Sequence, residues 1–157
     1  MNPLQKVEND VCTLHSVLED RMDFSVVSLN NLNRYELRNQ VDHFCQLVIP
    51  GAYVLVYFAG HGTHYCRNDF LLPVDAPSES EYTVDDLIDK DEIIEKIQAM
   101  NPKLLVLLLD MCRKITNPSD NPLLYSTSPP SEIRPEPRRN LVLGFATSET
   151  RAAYEVA

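Results

Sequence analysis

Basic residues are in short supply. Fourteen Lys and Arg stand against 23 Asp and Glu, for a formal charge of −9. That balance argues against nucleic acid or an anionic membrane surface as a partner, and it admits a cationic one such as a peptide carrying Arg or Lys. Long apolar runs are also missing. The longest unbroken aliphatic stretch is Leu104–Leu109, whereas a bilayer-spanning helix needs about 20 apolar residues. The first ten residues hold no apolar block that would read as a secretory signal. Four cysteines are scattered at positions 12, 45, 66 and 112, with no CxxC pair. Without an export signal they read as reduced, cytosolic thiols rather than a disulfide frame. There are only four glycines, and they form neither a phosphate-binding loop nor a dinucleotide fingerprint. No internal repeat is present.

What remains is enough for one domain. The chain has 157 residues, and 44% of them are hydrophobic, so a core can form. Val7, Val11, Leu14, Val17 and Leu18 recur at helical spacing and predict a helix over about Glu8–Arg21. Phe24–Leu29 reads as a short strand, and Asn30–Asn33 as a turn and cap. Leu37, Val41, Phe44, Leu47 and Val48 mark a second helix, ended near Pro50-Gly51. Ala52–Phe58 and Lys103–Leu109 are apolar runs of the kind found in strands buried on both faces. Phe70–Val74 is a short extended piece, and Leu87, Ile93, Ile94 and Ile97 predict a helix over about Asp85–Met100. Between Arg113 and Asn140 there are six prolines in 28 residues, which reads as a loop or linker. Leu141–Ala146 resumes strand character. The alternation predicts an α/β fold with a mostly parallel sheet flanked by helices on both faces. In such sheets the site lies outside the carboxyl ends of the strands.

Two strand ends carry chemistry. One runs into Gly60-His61-Gly62, read as a tight turn, and the other into Asp110-Met111-Cys112-Arg113. A cysteine nucleophile needs an imidazole to take its proton, since a free thiol has a pKa of about 8.5. The same imidazole can return the proton to a leaving amine. Taken singly, a Cys after an apolar strand is usually an inert core residue and a His between glycines is usually structural. Their joint occurrence at two strand ends favours a dyad.

These residues carry a resemblance. Tyr57-Phe58-Ala59-Gly60-His61-Gly62, with Leu107-Leu108-Leu109-Asp110-Met111-Cys112-Arg113-Lys114, resembles the caspase-like cysteine peptidases and, more narrowly, the MALT-type paracaspases of NF-κB signalling. Val26–Leu29, Tyr35–Asn39, Phe70–Pro77 and Gly144–Thr147 fit the same family. The His–Cys separation of 51 residues is close to the roughly 50 of caspases. The caspase signature around the nucleophile is not matched: Asp110 stands where it has Gln, and Lys114 where it has Gly.

The resemblance implies an intracellular, cytoplasmic cysteine endopeptidase that cuts after Arg or Lys. Cys112 would be the nucleophile and His61 the general base, then acid. The N–H groups of Gly62 and Cys112 would form the oxyanion hole. Asp110, Glu155 and Asp10 would line an acidic pocket for the substrate guanidinium, which carboxylates hold well. No cofactor and no metal are implied. Partners would be protein or peptide substrates with Arg at the cleavage site, signalling adaptor proteins and a second copy of the chain, with no nucleic acid and no membrane.

Measured against that family, the chain reads as part of a caspase-like domain, lacking a first strand and the C-terminal portion. Residues 8–112 match the large-subunit part, 113–140 form the Pro-rich linker and 141–157 begin the small-subunit part. A catalytically inactive interaction module is therefore the alternative. Other readings are weaker. His61, His64, Cys66 and Cys112 lack a familiar zinc spacing, with His64 and Cys66 expected on a surface loop. Cys12 and Cys45 are expected in helix packing. The acidic run Asp75–Glu95 lacks EF-hand spacing and reads as a solvated loop and helix. Arg138-Arg139 reads as a solvated pair, and as a self-cleavage point if the Arg specificity holds.

Overall fold

The structure is a computed structural model that describes residues 7–113, 115–126 and 140–147. Its elements are α1 (Val7–Met22), α2 (Arg34–Leu47), β1 (Tyr53–Tyr65), β2 (Asn68–Leu72), a short 3-10 turn (Val84–Asp86), β3 (Ile88–Asp89), α3 (Lys90–Gln98), β4 (Leu104–Met111), α4 (Pro122–Ser126) and β5 (Leu141–Phe145). Among the described residues the strands form one sheet in the order β3-β2-β1-β4-β5. The expected α/β architecture is present. β1, β4 and β5 run parallel, and an antiparallel extension adds β2 and β3.

β1 changes neighbours along its length. Tyr53–Gly60 pairs with β4, and His61–Tyr65 pairs with β2. Along Tyr53–Gly60 the side of β1 away from β4 carries no strand among the described residues. It faces an apolar groove bordered by Val26, Leu29 and α1.

Alternation along the strands sorts the side chains onto two faces. Leu105, Leu107, Leu109 and Met111 of β4 are buried on one face, together with Val54 and Leu71 and with Ile93, Ile94 and Ile97 of α3. Leu37, Val41 and Phe44 of α2 pack against this cluster. Burying each such side chain is worth about 1.5–3 kcal/mol, which makes this cluster the main stabilising unit. α2 begins where a capping box closes. Asn33 accepts from the backbone N–H of Glu36, whose side chain accepts in return from the backbone N–H of Asn33, and two otherwise orphaned donors are satisfied. The other face carries a smaller cluster of Tyr65, Phe70, Leu72, Tyr82, Leu87 and Leu124.

Several sequence expectations need correction. Phe24–Leu29 is not a strand. Phe24 and Val26 are partly covered while Val27 and Leu29 are exposed, so the alternating pattern is met without a ladder. Strand propensity needs a paired neighbour to become a strand. The helix expected from Asp85 starts only at Lys90, because Val84–Asp86 closes a 3-10 turn and Ile88–Asp89 pairs with Leu71 and Phe70. Asp89 then caps α3 by accepting from the N–H of Asp91.

The first part of the expected linker is ordered by polar contacts. Thr116 Oγ1 lies 2.8 Å from Thr63 Oγ1 and 2.7 Å from the Tyr82 hydroxyl. Asn121 Oδ1 accepts from the N–H of Leu124 in α4. Cys45 is buried as expected, but Cys12 is exposed, so it does not serve helix packing.

Candidate active site

The parallel register of β1 and β4 runs from Tyr53↔Leu104 to Gly60↔Met111. One step further brings His61 level with Cys112. Paired residues of parallel strands point to the same side, and the hydrogen bond from the Tyr57 hydroxyl to Asp110 Oδ2, 3.2 Å, marks that side. Tyr57, Ala59 and His61 therefore share a face with Leu108, Asp110 and Cys112. Both His61 and Cys112 are half-buried.

The Gly60-His61-Gly62 turn expected from the sequence is not there. β1 continues through it, and the reversal comes later at Cys66 and Arg67, whose φ values are +48° and +64°. Gly62 has a different reason to be glycine. A Cβ there would lie 2.9 Å from the carbonyl oxygen of Cys112 and would also meet the side chain of Met111. Only a residue without a side chain lets β1 approach the Cys112 backbone this closely.

Asp110 sits on the same face, two residues before Cys112. Burial raises the Tyr57 phenol, and the negative charge of Asp110, its hydrogen bond and the charge of Asp10 raise it further, to about 12. The phenol is thus a neutral donor at physiological pH. Asp10 is exposed on α1 and acts on Tyr57 through its charge alone, whereas Asp110 is in hydrogen-bond contact with it. Glu155 lies outside the described residues, as does Arg138-Arg139. Tyr57 was not singled out in the sequence. Its only signal is a polar tip in an otherwise apolar strand, lying opposite Leu108 once the register is known.

His64 belongs to β1, opposite Asp69, and not to a surface loop. It stands three residues past His61 and so on the other face of the sheet, where its Nδ1 lies 2.8 Å from Asp69 Oδ1. Cys66 is exposed at the hairpin tip. The zinc alternative therefore loses its geometry. Among the described residues no group of three or more His, Cys, Asp or Glu side chains could hold a metal ion.

A family model, the caspase domain, matches residues 1–156. The chain belongs to the caspase-domain family. That family is one of cysteine-type peptidases, so a thiol just past the end of β4 and an imidazole within β1 sit in a peptidase fold. The chain is 38% identical over 148 residues to human (Homo sapiens) mucosa-associated lymphoid tissue lymphoma translocation protein 1, with 94% of this chain and 17% of that protein aligned. It is 37% identical over 148 residues to the mouse (Mus musculus) homolog, at 94% and 16%. This caspase domain thus spans about one sixth of the length of the curated relatives it matches.

Proposed function

We propose that this chain carries the His–Cys dyad and acidic pocket of a paracaspase-type cysteine endopeptidase that cleaves after Arg or Lys. The observation that supports the reading is the β1/β4 register, which runs to Gly60↔Met111 and recurs at the His64↔Ile115 bridge, bracketing His61 and Cys112, with Tyr57 holding Asp110 nearby. Likeness to the human and mouse proteins supports the paracaspase assignment.

In this mechanism His61 takes the proton of the Cys112 thiol, and the sulfur attacks the scissile carbonyl carbon. The carbonyl π pair moves to oxygen, where the N–H groups of Cys112 and Gly62 receive it; each such donor is worth about 10²–10³ in rate. His61 then protonates the leaving amine, and water releases the acyl group from Cys112. Asp110, Asp10 and Glu155 take the guanidinium of the substrate Arg, a pairing that suits a chain of charge −9. The setting is intracellular signalling of the NF-κB type in the cytoplasm, with adaptor proteins and a second copy of the chain as partners.

The test is covalent labelling. An Arg-peptide acyloxymethyl ketone should modify Cys112, an Asp-peptide analogue should not, and Cys112→Ala should abolish the adduct while the fold persists. Labelling of the Cys112→Ala chain would remove the assigned nucleophile. Preference for the Asp peptide would remove the acidic pocket. A folded chain that no peptide electrophile labels would support the alternative, a non-catalytic interaction module.

A further inference from the structure

Behind the dyad, on the opposite face of the sheet, lies an ion pair that the mechanism above does not use. Asp69 is buried at 3% exposure and Arg113 at 7%. Arg113 donates through Nε to Asp69 Oδ1 at 2.9 Å and through Nη2 to Oδ2 at 3.1 Å, a two-pronged fork. His64 Nδ1 adds a third contact, 2.8 Å from Oδ1. The far side of the guanidinium stacks on Phe145, 3.9 Å from the ring centroid. One side chain is thereby gripped by β2 on one side and β5 on the other, with β1 contributing His64.

Arg113 is the residue that follows Cys112. It follows β4, between the last ladder pair Gly60↔Met111 and the bridge His64↔Ile115, which keeps the same register with β1. Within that span the buried fork adds a side-chain restraint on the Cys112–Arg113 peptide. A planar bidentate pair fixes orientation as well as distance. A carboxylate buried at this depth is costly unless paired. Here burial raises the Asp69 carboxyl, but hydrogen bonds from Arg113 and His64 and the charges of Arg113 and Lys90 outweigh it and hold the group below its ordinary range. Asp69 is thus a standing anion for Arg113.

We propose that Asp69 is a positioning residue for the nucleophile: through Arg113 it fixes the peptide that carries the Cys112 sulfur and the Cys112 N–H. Asp69 lies on the face away from substrate and touches no reacting atom. This inference rests on the peptidase reading above and adds to it the residue that aligns the oxyanion donor.

The experiment compares the full chain with Asp69→Asn and with the double variant Asp69→Leu/Arg113→Met. The double variant replaces the pair by apolar groups of similar size and keeps the test open if the single variant fails to fold, because such replacements are often neutral for stability. Two reagents report on Cys112. An Arg-peptide aldehyde forms a hemithioacetal, in which the sulfur bonds to the carbonyl carbon and the oxygen becomes an anion that needs the N–H donor. Iodoacetamide alkylates the same sulfur with loss of iodide and makes no oxyanion.

The proposal expects aldehyde affinity to fall by about tenfold or more in the folded variants, as when an oxyanion donor is displaced. The iodoacetamide rate should stay within about twofold, since thiolate nucleophilicity and access are untouched. A purely structural role would move both reagents together. Amide exchange at Cys112 and Arg113 should rise by about tenfold while Leu105–Leu109 remain protected. Unchanged exchange at Cys112 in a folded variant overturns the proposal, and so does unchanged aldehyde affinity. If the wild-type chain binds no Arg aldehyde, the Arg-peptidase reading falls, and the exchange measurement still decides whether the pair fixes the Cys112 peptide.

Discussion

The Tyr57 hydroxyl donates to Asp110 Oδ2 across the parallel pair β1 and β4, at 3.2 Å. One carboxylate oxygen is thereby occupied, which fixes the orientation of the other, the one that would meet a substrate guanidinium in the proposed pocket. Tyr57→Phe removes only the hydroxyl. The fold should be retained, and KM for an Arg-peptide reporter should rise by about three- to tenfold with kcat within twofold, the scale of one ordinary hydrogen bond. Steady-state kinetics checks it, and a fall confined to kcat would contradict this role.

Asp110 itself is expected to set charge preference. Asp110→Asn keeps the shape and the acceptor for Tyr57 but deletes the charge. Labelling by an Arg-peptide electrophile should slow by about 30-fold or more, in line with losing one partner of a desolvated charge pair. A citrulline analogue, isosteric and neutral, should lose far less. Equal losses for both peptides would place Asp110 outside the pocket.

Gly62→Ala tests the close approach of β1 to Cys112. The added methyl meets the Cys112 carbonyl oxygen and Met111. Overpacking of this kind costs about 1–3 kcal/mol, which corresponds to a Tm lowered by about 3–10 °C for a chain of this size. The displaced backbone belongs to the proposed nucleophile, so Cys112 labelling by peptide electrophiles should drop as well. An unchanged Tm would mean that the strands do not approach as described.

The depressed Asp69 carboxyl gives a pH signature. A carboxyl whose folded pKa lies below its unfolded value of about 4 contributes stability that is fully present above that value and is lost as pH falls through the folded pKa. The stability advantage of the wild type over Asp69→Asn should therefore be constant near neutrality and shrink below about pH 4. Denaturant unfolding at a series of pH values measures it. An advantage that grows on acidification would reverse the assigned direction.

Much of the sheet was legible in the sequence for a simple reason. Ala52–Phe58, Lys103–Leu109 and Leu141–Ala146 are short apolar runs bounded by polar residues, and all three became parallel strands. α2 was legible from its apolar stripe and from Asn33 at its start. The β1–β2 hairpin was not. Glycines flank His61, so the reversal was expected there, whereas the chain turns at Cys66-Arg67, two residue types rarely chosen for positive φ. Phe24–Leu29 misled in the opposite way, with a strand-like pattern but no strand beside it. Tyr57 with Asp110 and Asp69 with Arg113 are pairs 53 and 44 residues apart. No local pattern encodes such pairs, and only the strand register brings them together.

The unpaired side of β1 has a practical consequence. From Tyr53 to Gly60 a row of main-chain donors and acceptors has no strand beside it among the described residues, and apolar side chains flank the opening. Such a rim templates the addition of another strand. At high concentration the polypeptide should assemble edge to edge into dimers or larger species. A charged lysine or a proline introduced at that rim, where no existing ladder bond is broken, is the substitution expected to keep it dispersed.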